Sequence, residues 1–237
     1  MATKTIRLWA IMALVVVGTS LTACLKSGDT TPQRPVGLVA IINGIASGTS
    51  LDLYDNDVKV QVNPMPVGFG GVAYPIYAGY HTFKFTKTGN TAALASSTEP
   101  YDSLKYYTVI GYGDSTDAHI KTIKDDFAGA TEGKLNIRFF NLSPNSPAVD
   151  LYIGDVKVDS NAVYVGSANV STAFKTLTTV SSGSTIRVKV AGSTTNLVAE
   201  TTTANLKQGA VYTIYLAGLK DQLGAAKATV GYVQSYY

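Results

Sequence analysis

The sequence has few of the residues on which disulfide scaffolds, metal sites and catalytic centres depend. It contains one cysteine, Cys24, and two histidines, His81 and His119, among 237 residues. One cysteine excludes a disulfide framework, and two histidines are too few for a histidine-rich metal site. Charged residues are also scarce, at 15%, whereas hydrophobic residues make up 46%. This apolar surface is enough to offset the entropy of ordering the chain, which excludes intrinsic disorder.

The N-terminus is organised as a secretory signal peptide. Two basic residues precede an uncharged apolar stretch at 8–21, and its 14 residues are fewer than the roughly 20 that span a bilayer. The tetrapeptide Leu-Thr-Ala-Cys at 21–24 closes this stretch and resembles the lipobox of bacterial lipoproteins, whose cysteine thiol receives a diacylglycerol. We therefore predict a signal peptide at 1–23 and lipidation of Cys24. The alternative is an ordinary secretory signal in which Cys24 is incidental.

Lipidation would attach the mature protein to a membrane, because two or more acyl chains anchor a protein stably. Residues 24–35 are polar and interrupted by glycine and proline, which predicts a flexible tether. Leu25 occupies the position at which an aspartate retains enterobacterial lipoproteins in the inner membrane. We therefore expect a cell-envelope protein of the outer membrane, either periplasmic or surface-exposed.

The charge of the mature protein argues against one class of partner. Loss of residues 1–23, which carry Lys4 and Arg7, lowers the formal net charge from +3 to +1. Nucleic-acid binding needs clustered lysine and arginine opposite the phosphates. We therefore expect no nucleic-acid partner.

The remaining chain contains an internal repeat. An offset of 98 residues places Leu-Asp-Leu-Tyr-Asp-Asn-Asp-Val-Lys-Val at 51–60 on 149–158, with seven of ten pairs identical. The offset then grows to 105, which places Phe-Lys-Phe at 83–85 on Val-Lys-Val at 188–190. A period near 100 residues is the length of a small domain. We therefore predict domains at 36–127 and 134–237, joined by a linker at 128–133.

The residue pattern of both repeats predicts an all-β structure. Short runs rich in Val, Ile, Tyr and Thr are separated by Gly, Pro, Asn or Asp, and 135–139 and 186–190 alternate apolar with polar residues. The pairs Asn-Asp at 56–57 and Gly-Asp at 154–155 have the residue types that tight hairpin turns require. We predict six or seven strands in each repeat, packed as two antiparallel sheets in an immunoglobulin-like β-sandwich.

One segment of the second repeat resembles a known family. Residues 138–152 read Arg-Phe-Phe-Asn-Leu-Ser-Pro-Asn-Ser-Pro-Ala-Val-Asp-Leu-Tyr. This segment resembles the opening motif of the family called domain of unknown function 4397. We interpret the two repeats as two tandem copies of that domain. The resemblance implies a β-sandwich in an extracytoplasmic bacterial protein and implies no activity. The anchor and tether also look like those of Bacteroidetes surface lipoproteins. The first repeat departs from the motif at 44–50, which lacks proline.

The motif supplies the candidate binding residues. Asp52 and Asp150 recur in both repeats, and each is interpreted either as a carboxylate of an acid/base site or as a structural acceptor for N–H groups of a neighbouring loop. Asn43 and Asn141 are candidate partners of these carboxylates. The residues that we predict to bind a ligand lie in or beside the loop at 142–148: Asn141, Ser143, Asn145, Asp150 and Tyr152.

Catalytic and metal-binding patterns are weak. His81 and His119 are most simply exposed loop or edge residues, so we predict no catalytic residue. The polar residues of 52–57 lack the spacing of a calcium loop and favour a hydrogen-bonded turn. The glycines at 68–71 lack the lysine and the helix of a phosphate loop, which favours a bulge. We expect neither a metal nor a cofactor.

Tyrosine is the one residue used heavily, with 15 in the chain. Tyr74, Tyr77 and Tyr80 follow at three-residue spacing, where they either pack in the core or stack on a glycan. We therefore predict a non-enzymatic binding module for a glycan or an envelope protein. The alternatives are a structural or assembly subunit of an envelope complex and, least favoured, a hydrolase that uses carboxylates alone.

Overall fold

The structure is a computed structural model that describes residues 34–178, 183–201 and 204–235. These residues contain sixteen strands and one short 3-10 helix. The predicted signal peptide, the lipidation site Cys24 and nearly all of the predicted tether lie outside these residues. Within the described ranges no helix has both the length and the apolarity needed to cross a membrane.

Each repeat contributes eight strands. The strands of the first repeat are β1 Gly37–Asn43, β2 Leu51–Asp55, β3 Val58–Lys59, β4 Phe69–Ile76, β5 Gly79–Lys87, β6 Ala93–Tyr101, β7 Tyr106–Gly113 and β8 Ala118–Lys124. The strands of the second repeat are β9 Leu135–Asn141, β10 Val149–Ile153, β11 Val156–Ala162, β12 Lys175–Leu177, β13 Ile186–Val190, β14 Leu197–Thr201, β15 Val211–Ala217 and β16 Thr229–Ser235. Eight exceeds the expected six or seven, and the three residues of β12 are too few to show a period of two.

The two repeats have the same strand order. The first forms sheets β4-β1-β7-β8 and β3-β2-β5-β6, and the second forms β12-β9-β15-β16 and β11-β10-β13-β14. The predicted all-β sandwich architecture is confirmed. Within it β1 pairs with β7, and β9 with β15, in parallel, while every other strand pair is antiparallel among the described residues. Strand direction between distant segments leaves no mark on local periodicity.

The pairing register corrects one part of the expected repeat alignment. Leu51 pairs with Lys87, and its counterpart Val149 pairs with Val190. Phe83 therefore corresponds to Ile186 rather than to Val188, so the alignment from sequence was wrong by two residues at this strand. The extra residues of the second repeat are divided between two connections, and similar apolar triplets concealed the division.

Each repeat has its own apolar core, and a third cluster joins the two repeats. This seam contains Ile42 and Ile110 from the first repeat and Phe140 and Tyr215 from the second. The Tyr215 hydroxyl donates a hydrogen bond to the Gly68 carbonyl, at 3.0 Å between oxygens. Burial raises the pKa of Tyr215, which keeps this hydroxyl protonated as a donor. The repeats are thus held together by packing as well as by the chain.

A buried ion pair lies in the same seam. Arg138 and Asp125 have side chains that are 1% and 2% exposed, and their closest nitrogen and oxygen are 2.7 Å apart. Arg138 also donates to the Thr108 and Thr213 hydroxyls, at 2.7 and 2.9 Å, and its guanidinium lies 4.4 Å from the ring centre of Phe174. The charge is therefore paired and hydrogen-bonded, which burial requires.

Candidate functional site

The predicted binding residues near the 142–148 loop are engaged within the chain. Asn141 is buried, accepts a hydrogen bond from the Ser143 N–H at 3.1 Å and donates to the Ala162 carbonyl at 3.3 Å. Asn145 makes two bonds to the Lys220 backbone, at 2.8 and 3.0 Å. Ser143 is buried and lies 3.4 Å from the Asn145 amide oxygen. Their ligand-binding role stays a prediction.

Asp150 has a similar position inside the fold. It is buried, pairs with Lys157 at 2.7 Å and accepts from the N–H groups of Asn161 and Gly192 at 2.9 and 3.1 Å. Burial works to raise the pKa of Asp150, but these hydrogen bonds outweigh it and hold the pKa below its usual range. The carboxylate therefore ties the end of β11 and the turn after β13 to β10.

Tyr152 is half-buried on the outer side of the same strand. The ammonium groups of Lys157 and Lys189 lie 5.6 and 5.0 Å from its ring centre, within the range of cation–π attraction. Tyr152 is the single aromatic residue among the five predicted residues, and its ring is partly exposed. Its binding role also stays a prediction.

The expected partnership between the repeated asparagines and aspartates is wrong. Asn43 bonds to the backbone of Ile45 and Met65, at 3.1 and 2.9 Å, as Asn141 bonds to its own loops. Asp52 instead forms an ion pair with Lys59, at 2.9 Å between Oδ1 and Nζ. This pair is the counterpart of the Asp150–Lys157 pair in the second repeat. The asparagines end strands of one sheet and the aspartates lie in the other, so the sandwich separates them.

A buried polar cluster lies inside the first repeat, at the end of the sandwich beside the β4–β5 turn. The imidazole Nδ1 of His81 is 2.8 and 2.9 Å from the two carboxylate oxygens of Asp55. Tyr74 donates its hydroxyl to the same carboxylate at 3.0 Å. Burial, assisted by the Asp55 charge, raises the pKa of Tyr74 to about 12. The second ring nitrogen of His81 is 3.1 Å from the Tyr77 carbonyl.

The prediction that His81 is an exposed loop or edge residue was wrong. It lies in β5, an inner strand of its sheet, and its side chain is only 14% exposed. Its neighbours along the chain are polar or aromatic, which concealed a position on the inner face of the strand. His119 lies in the edge strand β8, half-exposed beside Asp117 at 2.8 Å, so the expectation of an exposed edge residue is confirmed.

The second repeat shows that the sandwich does not require this cluster. By pairing register, Ile153 replaces Asp55, Ser184 replaces His81 and Lys175 replaces Tyr74. Ile153 is part of the apolar core there. A signal was present in the sequence, since Asp55 opposite Ile153 is one of three mismatches in an otherwise identical stretch.

The cluster fixes the turn that joins β4 to β5. His81 spans from Asp55 in β2 to the Tyr77 carbonyl, and Gly79 has φ +141°, a conformation open to glycine. Tyr77 and Tyr80 flank this glycine and are 50% and 74% exposed. Tyrosine presents a rigid ring with a polar tip, which suits binding surfaces. We call these two residues the tyrosine hairpin.

The geometry of the cluster does not favour acid/base chemistry. A catalytic imidazole needs one ring nitrogen directed at a substrate, whereas both nitrogens of His81 face oxygen atoms of the chain. Within the described ranges no group of three or more metal-ligating side chains occurs. The arrangement can therefore hold a surface in place, and the exposed rings beside it can contact a ligand.

These features define an all-β protein of two sandwiches with a candidate binding surface at one end. Residues 37–152 match the family described as Domain of unknown function (DUF4397), so the chain contains a DUF4397 domain over those residues. The match extends across the first repeat and ends within β10 of the second.

Other comparisons are distant. No curated protein matches the chain. Among solved structures, one titled "Alpha-glucan recognition by family 41 carbohydrate-binding modules from streptococcal virulence factors" matches over 82% of this chain and 96% of its own, with 9% identity and a TM-score of 0.23. At this identity and TM-score the likeness assigns neither fold nor ligand to this chain.

Proposed function

We propose that this protein is a lipid-anchored, non-enzymatic binding module of the cell envelope, and that it binds a glycan or an envelope protein through the tyrosine hairpin. The observation that carries the proposal is the pair of exposed rings, Tyr77 and Tyr80, on a turn fixed from beneath by the His81 and Asp55 pair.

Preorganisation is the physical reason for choosing this surface. Fixing a turn before binding lowers the entropy cost of association. A polar cluster buried in a sandwich costs desolvation energy, and the second repeat fills the Asp55 position with Ile153 instead. Among the described residues, this costly cluster lies beneath a turn that presents two exposed tyrosines.

The non-enzymatic assignment rests on the same geometry. The carboxylates repeated in both sandwiches, Asp52 and Asp150, are each paired with a lysine. A pair of carboxylates flanking a cleft, as in glycoside hydrolases, would have to use other residues. We further propose that the second repeat is a second domain of the same family, since it repeats the strand order of the first.

A binding screen tests the surface. The mature protein would be screened against glycans and envelope proteins. The affinity of any ligand found would then be measured for the variants Tyr80→Ala, Tyr77→Ala and Tyr152→Ala. We expect the first two to weaken binding by about tenfold or more, as truncation of an aromatic anchor does. Tyr152→Ala is the matched control in the other repeat and keeps full affinity.

Two results would refute the surface proposal. One is a folded protein that binds nothing in the screen. The other is a ligand whose affinity depends on Tyr152 and not on Tyr80, which would place the site at the predicted motif.

The anchor has an independent test. Cells that express the full chain would be labelled with a radioactive fatty acid, with Cys24→Ser as the control. Label in the parent protein and none in the variant supports the anchor. Equal absence of label from both would refute it.

A further inference from the structure

The second repeat contains a cleft that the tyrosine hairpin does not include. It lies between β9 of one sheet and β11 of the other and has a volume of about 230 Å³. Its lining includes Asp159, Asn161, Asn169 and Lys175. Two register irregularities interrupt the pairing of β11 with β10. Bulges of this kind redirect side chains and often lie beside binding sites.

The polar groups of this cleft carry balanced charge. Lys175 and Asp159 form an ion pair at 2.8 Å. Arg138 also lines the cleft, but its guanidinium forms an ion pair with Asp125. Asn161 and Asn169 are exposed at the mouth of the cleft, and their side-chain amides make no hydrogen bond to the described residues. Each amide offers a donor and an acceptor, so the cleft presents free hydrogen-bonding groups without a net charge.

The equivalent cleft of the first repeat has different chemistry. It has a volume of about 250 Å³ and is lined by Val60, Met65, Phe69 and Tyr74, among others. The pairing register makes Tyr74 the counterpart of Lys175, because they pair with the equivalent residues of β1 and β9. The sandwich therefore forms a cleft here in both repeats. The lining of the first is mainly apolar, with Gln61 and Tyr74 as its polar side chains, whereas the second contains the ion pair and two asparagine amides.

We propose that the cleft of the second repeat binds a single uncharged sugar ring. Balanced charge disfavours ions, while two free amides, a carboxylate and an ammonium group can pair with hydroxyls that donate and accept. Apolar side chains such as Val163 and Val170 also line the cleft and suit the C–H face of a sugar. The volume lies below the roughly 300 Å³ at which drug-sized pockets begin, so it admits about one ring. This site is separate from the tyrosine hairpin.

Saturation-transfer NMR on the mature protein tests the site. The probes are glucose, galactose, mannose and N-acetylglucosamine, with acetate and tetramethylammonium as charged probes. We expect at least one sugar to bind and neither charged probe to bind. Asn169→Ala and Asp159→Asn are each expected to weaken that sugar by about tenfold, which is the cost of one unpaired hydrogen bond at a ligand.

Controls separate this proposal from the proposed function. Gln61→Ala changes the position equivalent to Asp159 in the first repeat, and Tyr80→Ala changes the tyrosine hairpin; both should leave the affinity for the sugar unchanged. Thermal unfolding would confirm that each variant is folded. Lack of binding by all four sugars would overturn the proposal, as would binding of acetate or tetramethylammonium in their place. Equal affinity of Asn169→Ala and the parent protein would also overturn it, and so would loss of the sugar in Tyr80→Ala.

Discussion

The two repeats share a strand order but differ in where they place unusual polar residues. The first repeat buries Asp55 and His81 inside its sandwich, where the second has Ile153 and Ser184. The cleft beside β11 in the second repeat contains an ion pair and two asparagine amides, whereas the equivalent cleft of the first repeat is lined mainly by apolar side chains. Each repeat thus acts as an internal control for the other. Polar residues that occur in only one repeat are those that the common fold does not need.

The residues that both repeats share have structural contacts. Asn43 and Asn141 each tie a strand end to neighbouring backbone, and Tyr107 and Tyr212 each accept a hydrogen bond from the N–H group five residues earlier, at 2.9 and 3.1 Å. Recurrence in both repeats therefore indicates architecture. For this reason the asparagine of the family-like motif is a weaker candidate for ligand binding than the residues that differ.

The largest expected effect concerns the seam, where Arg138 of the second repeat faces the first. Asp125→Ala leaves the buried guanidinium without its counter-charge, and we expect a loss of about 3–5 kcal/mol in the free energy of unfolding. Urea denaturation measures it. The double variant Asp125→Leu with Arg138→Met should recover most of the loss. A single variant within about 0.5 kcal/mol of the parent would contradict the buried pair.

Exchanging residues between the repeats tests the internal control directly. Ile153→Asp buries a carboxylate without a partner and should cost about 3–5 kcal/mol. In the first repeat, Asp55→Ile with His81→Ser imitates the second repeat and should be neutral or stabilising, because both members of the buried pair are removed together. Chemical denaturation of the two variants compares them. A large loss in the double variant would show that the first sandwich depends on the cluster.

The shared asparagines provide a smaller, symmetric effect. Asn43→Ala and Asn141→Ala each leave buried backbone groups unpaired, and we expect each to cost about 1–3 kcal/mol. Thermal and urea unfolding of both variants would be measured side by side. Loss of stability in one variant only would break the equivalence of the two repeats at this position.

The smallest effect is the acid dependence of Asp150. Its pKa is lowered in the folded state, so the stability that it provides is complete above the ordinary aspartate pKa of about 4. That stability is lost as the pH falls through the lower folded value. Asp150→Asn should therefore be less stable than the parent at pH 6, with the difference shrinking towards pH 3, as followed by urea unfolding. A constant difference across this range would contradict the lowered pKa.

The sequence predicted the secondary structure of the strands better than the contents of the sites. Alternation in segments such as 135–139 and 186–190 correctly placed β9 and β13. In β9, however, the polar face is buried as well, because Asn136 and Arg138 find their hydrogen-bond partners inside the protein. The tight turn at 56–57 also forms, with positive φ at both residues. The cluster of Asp55, Tyr74 and His81 could not be found this way, since its members come from three strands.

What the sequence determined by itself is local and periodic: strand segments, turns and the recurrence of one segment about a hundred residues later. These follow from side-chain alternation and from backbone preferences, which act over a few residues. Only the tertiary structure decided the parallel pairing of β1 with β7, the ion pair between Arg138 and Asp125, and the burial of His81 against Asp55. Each of these depends on which distant segments meet, and that is decided when the two sheets close over a shared core.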